Sequence, residues 1–295
     1  MKRNILIVAL LLILFLALGG HKQLGFGGFG VDSINIKKSV PASDIRSIEI
    51  STKAANASIV KGGSDQISAT LEGRASSEYA KKVGLDVEVT DDFLSIEVDQ
   101  PNFWFSIFSV MDLNLVVELP ESQYESVALS LGSGNASVSK ISADGIKITS
   151  GSGNIKFSEL LADEASIKTG SGNISGERFE AGELSAKTSS GNITLTDGTA
   201  ELQAETGSGN IRLELERLGR DTNLKTGSGN VIILLDDEPE SLRFDFATGS
   251  GNSTIAWPYT SEGKSGDSDA RGTFGSGETE LTVRTGSGNI RLEPR

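Results

Sequence analysis

Residues 151–174 read GSGNIKFSELLADEASIKTGSGNI, one full period between two copies of the same four-residue corner. Eight such corners occur, beginning at Gly132, Gly151, Gly170, Ser189, Gly207, Gly227, Gly249 and Gly286. Their separations are 19, 19, 19, 18, 20, 22 and 37 residues. Self-similarity at a fixed short period is the signature of a stack in which each unit packs only on its neighbours. The last interval is close to two periods carrying an insertion.

Alignment on the corner brings one face into view. Five residues before it stand Val127, Ile146, Ala165, Leu184, Leu202, Thr222, Phe244 and Leu281. Three before it stand Leu129, Ile148, Ile167, Ala186, Ala204, Leu224, Phe246 and Val283. Directly before it are Leu131, Ser150 and then threonines from Thr169 to Thr285. Alternate residues of a strand share a face, so these point inward. The inward face resumes after the corner at Ala136, Ile155, Ile174, Ile193, Ile211, Val231, Ser253 and Ile290. Each unit is therefore strand, corner, strand and variable turn, and the fold class is all-β: a single-stranded parallel β-helix, or β-solenoid, of about 19 residues per coil.

The third corner position is glycine in every copy: Gly134, Gly153, Gly172, Gly191, Gly209, Gly229, Gly251 and Gly288. That predicts either a positive φ or no space for a Cβ. The fourth is always asparagine: Asn135, Asn154, Asn173, Asn192, Asn210, Asn230, Asn252 and Asn289. Amides stacked at ~4.8 Å can hydrogen-bond along the column, so these are expected to form a structural ladder, with the threonines as a parallel hydroxyl ladder. One coil buries about five side chains at roughly 1.5–3 kcal/mol each, whereas ordering its residues costs ~1–2 kcal/mol apiece. Only the stack is stable.

Residues 36–130 alternate apolar and polar in short runs and read as an N-terminal β region with the first coils. Asn56-Ala57-Ser58-Ile59 matches Asn135-Ala136-Ser137-Val138 and marks an early coil. Residues 131–295 form the GSGN-repeat solenoid, and the stretch 256–277, AWPYTSEGKSGDSDARGTFGSG, is expected to be a loop extruded from one turn. No cap is expected on the final strand, whose edge Pro294 would blunt.

At the other end, Lys2 and Arg3 precede an unbroken apolar run from Ile5 to Leu18. Residues 1–19 are an export signal cleaved near Ala17-Leu18-Gly19 or an uncleaved membrane anchor; fourteen helical residues reach only ~21 Å. Residues 20–35 are a Gly-rich spacer. Either alternative puts the body outside the cytoplasmic membrane.

Composition closes off several chemistries. The chain has 295 residues, a net charge of −13, one histidine and no cysteine. A surface so acidic repels nucleic acid as a whole, and disulfides, thiolate sites and cysteine or serine–histidine catalysis lack their residues. Asparagine is a poor substitute for the carboxylates of calcium repeats, so neither metal nor cofactor is expected. Acids such as Asp163, Glu177 and Glu183 scatter over variable turns, and no catalytic residue is assigned. Two surface features remain. Lys168, Lys187, Lys225 and Arg284 form an outward column, interrupted by Glu205, that either meets an anionic polymer or serves solubility. The segment 101–111 holds Phe103, Trp104, Phe105 and Phe108, which form either a buried lid or a contact for membrane or partner.

Leu115-Val116-Val117-Glu118-Leu119-Pro120 leading into a first GSGN, followed by T-G-S-G-N-I coils such as Thr169–Ile174 and Thr206–Ile211, resembles the "putative adhesin" family of the bacterial cell envelope over roughly residues 40–293. The resemblance implies a β-solenoid outside the cell or on the outer face of the membrane, with an adhesion or envelope-stress role and no catalytic residues to transfer. The expected function is an exported non-enzymatic binding or scaffold module facing an envelope polymer or protein partner. The alternatives are an envelope-stress regulator acting with a membrane partner and, more remotely, a polysaccharide-active β-helix enzyme.

Overall fold

The computed structural model describes residues 30–101, 110–262 and 268–295. The N-terminal apolar helix, with its signal or anchor role, most of the spacer and nearly all of segment 101–111 lie outside the described residues. Among the described residues no helix is long and apolar enough to cross a membrane.

The chain begins with strands β1 (Val31–Pro41), β2 (Ser47–Thr52), β3 (Asn56–Lys61) and β4 (Gln66–Ser76), then a short helix α1 (Ser77–Ala80). Next come β5 (Gly84–Thr90), β6 (Phe93–Asp99), β7 (Met111–Leu119) and β8 (Gln123–Leu131). The regular windings follow as β9 (Ala136–Ser150), β10 (Ile155–Thr169), β11 (Ile174–Thr188), β12 (Ile193–Thr196), β13 (Thr199–Ser208), β14 (Ile211–Leu215), β15 (Thr222–Ser228) and β16 (Val231–Leu235). The last part holds β17 (Leu242–Thr248), β18 (Ser253–Ile255), β19 (Thr260–Ser261), β20 (Asp269–Phe274), β21 (Thr279–Ser287) and β22 (Ile290–Pro294).

The long strands β9, β10 and β11 are bent. Parallel pairing between β10 and β11 runs from Ile155 to Ser158, from Leu160 to Ala162 and from Glu164 to Thr169, skipping Glu159 and Asp163. The first bend is a left-handed residue in four windings, Lys140, Glu159, Arg178 and Asp197, with φ of 59°, 52°, 49° and 52°. Such a conformation is strained for residues with a Cβ and persists because the flanking segments are fixed by pairing. It also aims successive charges outward in alternating sign. Lys140 lies 3.8 Å from Glu159, and Arg178 lies 3.3 Å from the same carboxylate.

Inside the windings the core is one continuous apolar column. The aligned positions before and after the corner are buried, Ile155, Ile193, Ala204, Leu224, Phe246 and Val283 completely so. Ser253, in an outermost winding, is only half-buried.

Two rows of hydrogen-bonded strands run along the stack. Before the corner the order is β5, β6, β2, β8, β9, β10, β11, β13, β15, β21, β17, β20, β19. After it the order is β1, β4, β7, β3, β9, β10, β11, β12, β14, β16, β22, β18. The stack passes residue 131 without interruption.

Chain order and stacking order differ at both ends. The first winding, β2 with β3, is held between the windings of β6–β7 and of β8–β9. The last in sequence, β21 with β22, is held between β15–β16 and β17–β18. This corrects the expectation of an uncapped final strand: β22 is interior, and Pro294 pairs with Leu235. Antiparallel strands close the outer windings instead, β5 on β6, β4 on β7 and β20 on β17.

Two segment boundaries are also corrected. The spacer ends at Gly30, because Val31 already pairs with Ser76 in β1. The stretch 256–277 contains β19 and β20 and packs Tyr259 and Phe274 against Phe244, at ring separations of 4.9 and 5.7 Å. Apolar residues inside the insertion give it a core of its own, so it caps the stack instead of hanging from it.

A candidate binding face and the corner that aligns it

The corner sets the spacing of every outward column. At Gly172 an added Cβ would lie 1.9 Å from the carbonyl oxygen of Gly153, and the same approach recurs at Gly134, Gly153 and Gly191. Of the two sequence-based explanations for glycine, lack of space therefore holds throughout the stack. The sequence Thr52-Lys53-Ala54-Ala55-Asn56 shows the converse. It stands where T-G-S-G-N is expected, yet carries alanine, because the buried Gln100 side chain lies against it rather than another such corner. Gln100 Oε1 accepts hydrogen bonds from the Lys53 and Ala54 amides and the Thr52 hydroxyl. Period alone did not show this corner; the T-x-x-x-N frame was the available signal.

The asparagines link neighbouring windings. The backbone N–H of Asn173 donates to Asn154 Oδ1 at 2.9 Å, that of Asn192 to Asn173 Oδ1 at 2.8 Å, and the series runs from Asn56 through Asn135 to Asn230. It then crosses to Asn289 before reaching Asn252. Side-chain amides also bond each other from Asn114 through Asn56 to Asn173. The threonines do not bond one another, contrary to the expected hydroxyl ladder. Thr188 Oγ1 donates to the Gly172 carbonyl at 2.9 Å, on the winding beneath, and accepts the Gly191 amide at 3.2 Å on its own. A hydroxyl one residue before a tight corner is closer to those backbone groups than to the next threonine.

Ten windings held at ~4.8 Å give a strip about 45 Å long on each flank. On the flank before the corner, one outward row reads Thr149, Lys168, Lys187, Glu205, Lys225, Arg284, Ala247 in stacking order. The neighbouring row reads Ala128, Lys147, Ser166, Ser185, Gln203, Asn223, Thr282, Asp245.

The structure brings the four expected cations into one row but engages three of them. Glu205 lies 3.9 Å from Lys187 and 3.6 Å from Lys225. Arg284 is 2.5 Å from Asp245, which also receives Arg271 at 2.9 Å. Burial works to raise the Asp245 carboxyl, but hydrogen bonds and charge from Arg284 and Arg271 outweigh it and hold the group below its usual range. Arg284 is thus a tie between adjacent windings. Lys168 and Lys147 are exposed and have no ion-pair partner among the described residues. Thr149, Ser130, Ser166 and Ser185 surround them, with Thr149 Oγ1 donating to Ser130 Oγ at 3.2 Å. Sequence reasoning missed Lys147, because it lies one row off the cation column. Phe103, Trp104, Phe105 and Phe108 lie outside the described residues.

Among the described residues no group of three His, Cys, Asp or Glu side chains is placed to hold a metal ion. What the geometry offers is a regular hydroxyl and amide strip with a cationic patch, bordered on the same flank by an exposed acidic row, Glu164, Glu183 and Glu201.

Fold and strip together define a single-chain β-solenoid with a flat polar flank. The chain belongs to the Toastrack DUF4097 family, whose model matches residues 45–293. No curated protein matches it. Among solved structures it is similar to a "putative lipid binding protein" from Parabacteroides distasonis, with a TM-score of 0.50 and 17% identity over 88% of this chain and 96% of that one. It is also similar to a "putative cell adhesion protein" from Clostridium sporogenes, with a TM-score of 0.31 and 12% identity over 90% of this chain and 100% of that one. A "putative adhesin" from Parabacteroides distasonis gives a TM-score of 0.42 and 12% identity over 88% and 98%.

Proposed function

We propose that this chain is an exported, non-enzymatic, adhesin-like module of the cell envelope that holds an anionic envelope polymer along the flank before the corner. The observation that carries the reading is the pair of exposed, unpaired lysines, Lys147 and Lys168, in a hydroxyl-lined strip on a chain whose net charge is −13. The two lysines lie side by side on adjacent windings, and adjacent windings repeat polar groups at a spacing suited to an extended chain ligand. The N-terminal apolar segment would hold the module at the membrane if it is not removed.

Co-sedimentation of the full-length chain with purified cell wall tests the proposal. Retention is expected to fall severalfold in the Lys147→Glu/Lys168→Glu variant, to weaken with salt, and to fall when anionic polymers are stripped from the wall. Equal retention of variant and wild type would remove the basis for the assignment.

A further inference from the structure

The inverted order of the last two windings divides the chain in a way that the repeat pattern does not. Residues 242–295 are bound to each other along both rows: β17 pairs with β20 and β21, and β18 pairs with β22. Phe244, Phe246, Tyr259 and Phe274 form their common aromatic cluster. This unit meets the rest of the stack chiefly through β21 on β15 and β22 on β16.

A single connection joins the two parts, Asp236-Asp237-Glu238-Pro239-Glu240-Ser241. To leave β16 and enter β17 it must step over the intercalated winding, a rise of about 10 Å. Its four carboxylates are exposed, and an open cleft of about 610 Å³ is lined by Glu238, Pro239 and Glu240 together with Pro258, Tyr259 and Phe274. The connection is fastened at its two ends: the Asp236 N–H donates to the Glu216 carbonyl at 3.2 Å and its carboxylate lies 3.7 Å from Arg295, while Ser241 Oγ accepts the Glu278 N–H at 2.9 Å and lies 2.8 Å from Ser276 Oγ. Between them, Asp237, Glu238 and Glu240 make no side-chain bond among the described residues.

We infer that residues 242–295 are an exchangeable module, and that the partner fitted to the edge of β15 and β16 is the same module from a second copy of this chain. Opening the connection to full extension carries β21 and β22 onto the edge of a neighbouring molecule, which returns its own. Every bond across the junction is reproduced: Asn289 N–H to Asn230 Oδ1 at 2.8 Å, Thr285 Oγ1 to the Gly229 carbonyl at 2.9 Å, Glu280 N–H to Asp221 Oδ1 at 2.8 Å. Because the two forms share one interface, their balance is set by concentration and by strain in the connection.

The test uses two single-cysteine forms of a full-length chain that has no cysteine of its own. Ile232 and Arg291 are paired across β16 and β22 with outward side chains. Ile232→Cys and Arg291→Cys chains are mixed in urea, refolded together and mildly oxidised; a disulfide between them reports a module docked on the other molecule. The control replaces the second partner with Lys156→Cys, on the same outward row but four windings from Ile232. Disulfide dimer in excess of the control, rising with concentration toward about 1 mM, is expected. No excess at that concentration overturns the proposal. Deleting Asp237 and Glu238 should lower the half-point at least tenfold; an unchanged half-point would refute 236–241 as the hinge.

Discussion

Gly172→Ala is the sharpest test of the corner. The new Cβ would sit 1.9 Å from the Gly153 oxygen, 2.4 Å from its carbonyl carbon and 2.8 Å from the Asn154 nitrogen, all backbone atoms that no rotamer change can remove. Relief requires the two windings to part by more than 1 Å at this point, and overpacking of this kind costs about 1–3 kcal/mol. Parting also stretches the Thr169 Oγ1 bond to the Gly153 carbonyl, now 2.8 Å, and the Asn173 N–H bond to Asn154 Oδ1, now 2.9 Å. At about 1 kcal/mol apiece, the sum is about 3–5 kcal/mol. For a domain of this size that corresponds to a loss in Tm on the order of 10 °C. Gly63→Ala is the control, because nothing lies within 4 Å of its added Cβ; it should be neutral within about 0.5 kcal/mol or slightly stabilising through the unfolded chain. Thermal and urea unfolding followed by far-UV circular dichroism reads both. If Gly172→Ala melts within 2 °C of Gly63→Ala, the windings are not held at the distance on which the corner depends.

Two further outcomes follow from the same geometry. Asn173→Ala removes the acceptor of the Asn192 N–H and should cost about 1 kcal/mol in urea unfolding, whereas Asn252→Ala, at the end of the ladder where no described N–H donates to the side-chain oxygen, should cost less than half as much. Equal costs would show that the ladder bonds contribute nothing. Tyr124 is buried, donates to the Pro120 carbonyl at 3.0 Å, and has its phenol pushed up to about 12 by desolvation. A raised folded-state value means stability present below about pH 10 and lost as pH rises toward 12, by up to about 3 kcal/mol; Tyr124→Phe should flatten that part of the curve. A variant as alkali-sensitive as the wild type would contradict this assignment.

Much of this was legible because the repeat reports one coil many times. Positions five, three and one before the corner gave the core from Val127 to Val283, since a strand face has period two whatever winding it belongs to. The corner glycines gave close approach for the same reason. Ion pairing was legible only in part: the period places Glu205 between Lys187 and Lys225, but Arg284 meets Asp245 only because β17 lies above β21. The bend at Lys140, Glu159, Arg178 and Asp197 escaped notice because it uses no glycine or asparagine and is enforced by pairing on both sides. The insertion read as a loop because its glycines and serines outnumber the aromatic residues that fold it.

The inverted order at the two ends has the same root. Identical wording lets any winding sit on any other, so the period specifies that coils stack but not which two are neighbours. What selects the order is the cost of an exposed end. Had 279–294 been stacked outermost, it would have one neighbour and nothing to close its free edge. Placed inside, it buries Leu281, Val283, Ile290 and Leu292 fully between two windings. The outer place goes to β17 and β18, which are linked to the chain at both their ends and carry an antiparallel hairpin of their own that no further parallel coil can extend. The β6–β7 winding plays the same part at the other end under β5 and β4. Fraying from either end of the stack must therefore begin with a capped internal segment, and the six residues of the connection that allow this arrangement at one end are those that would let the module reach a second molecule.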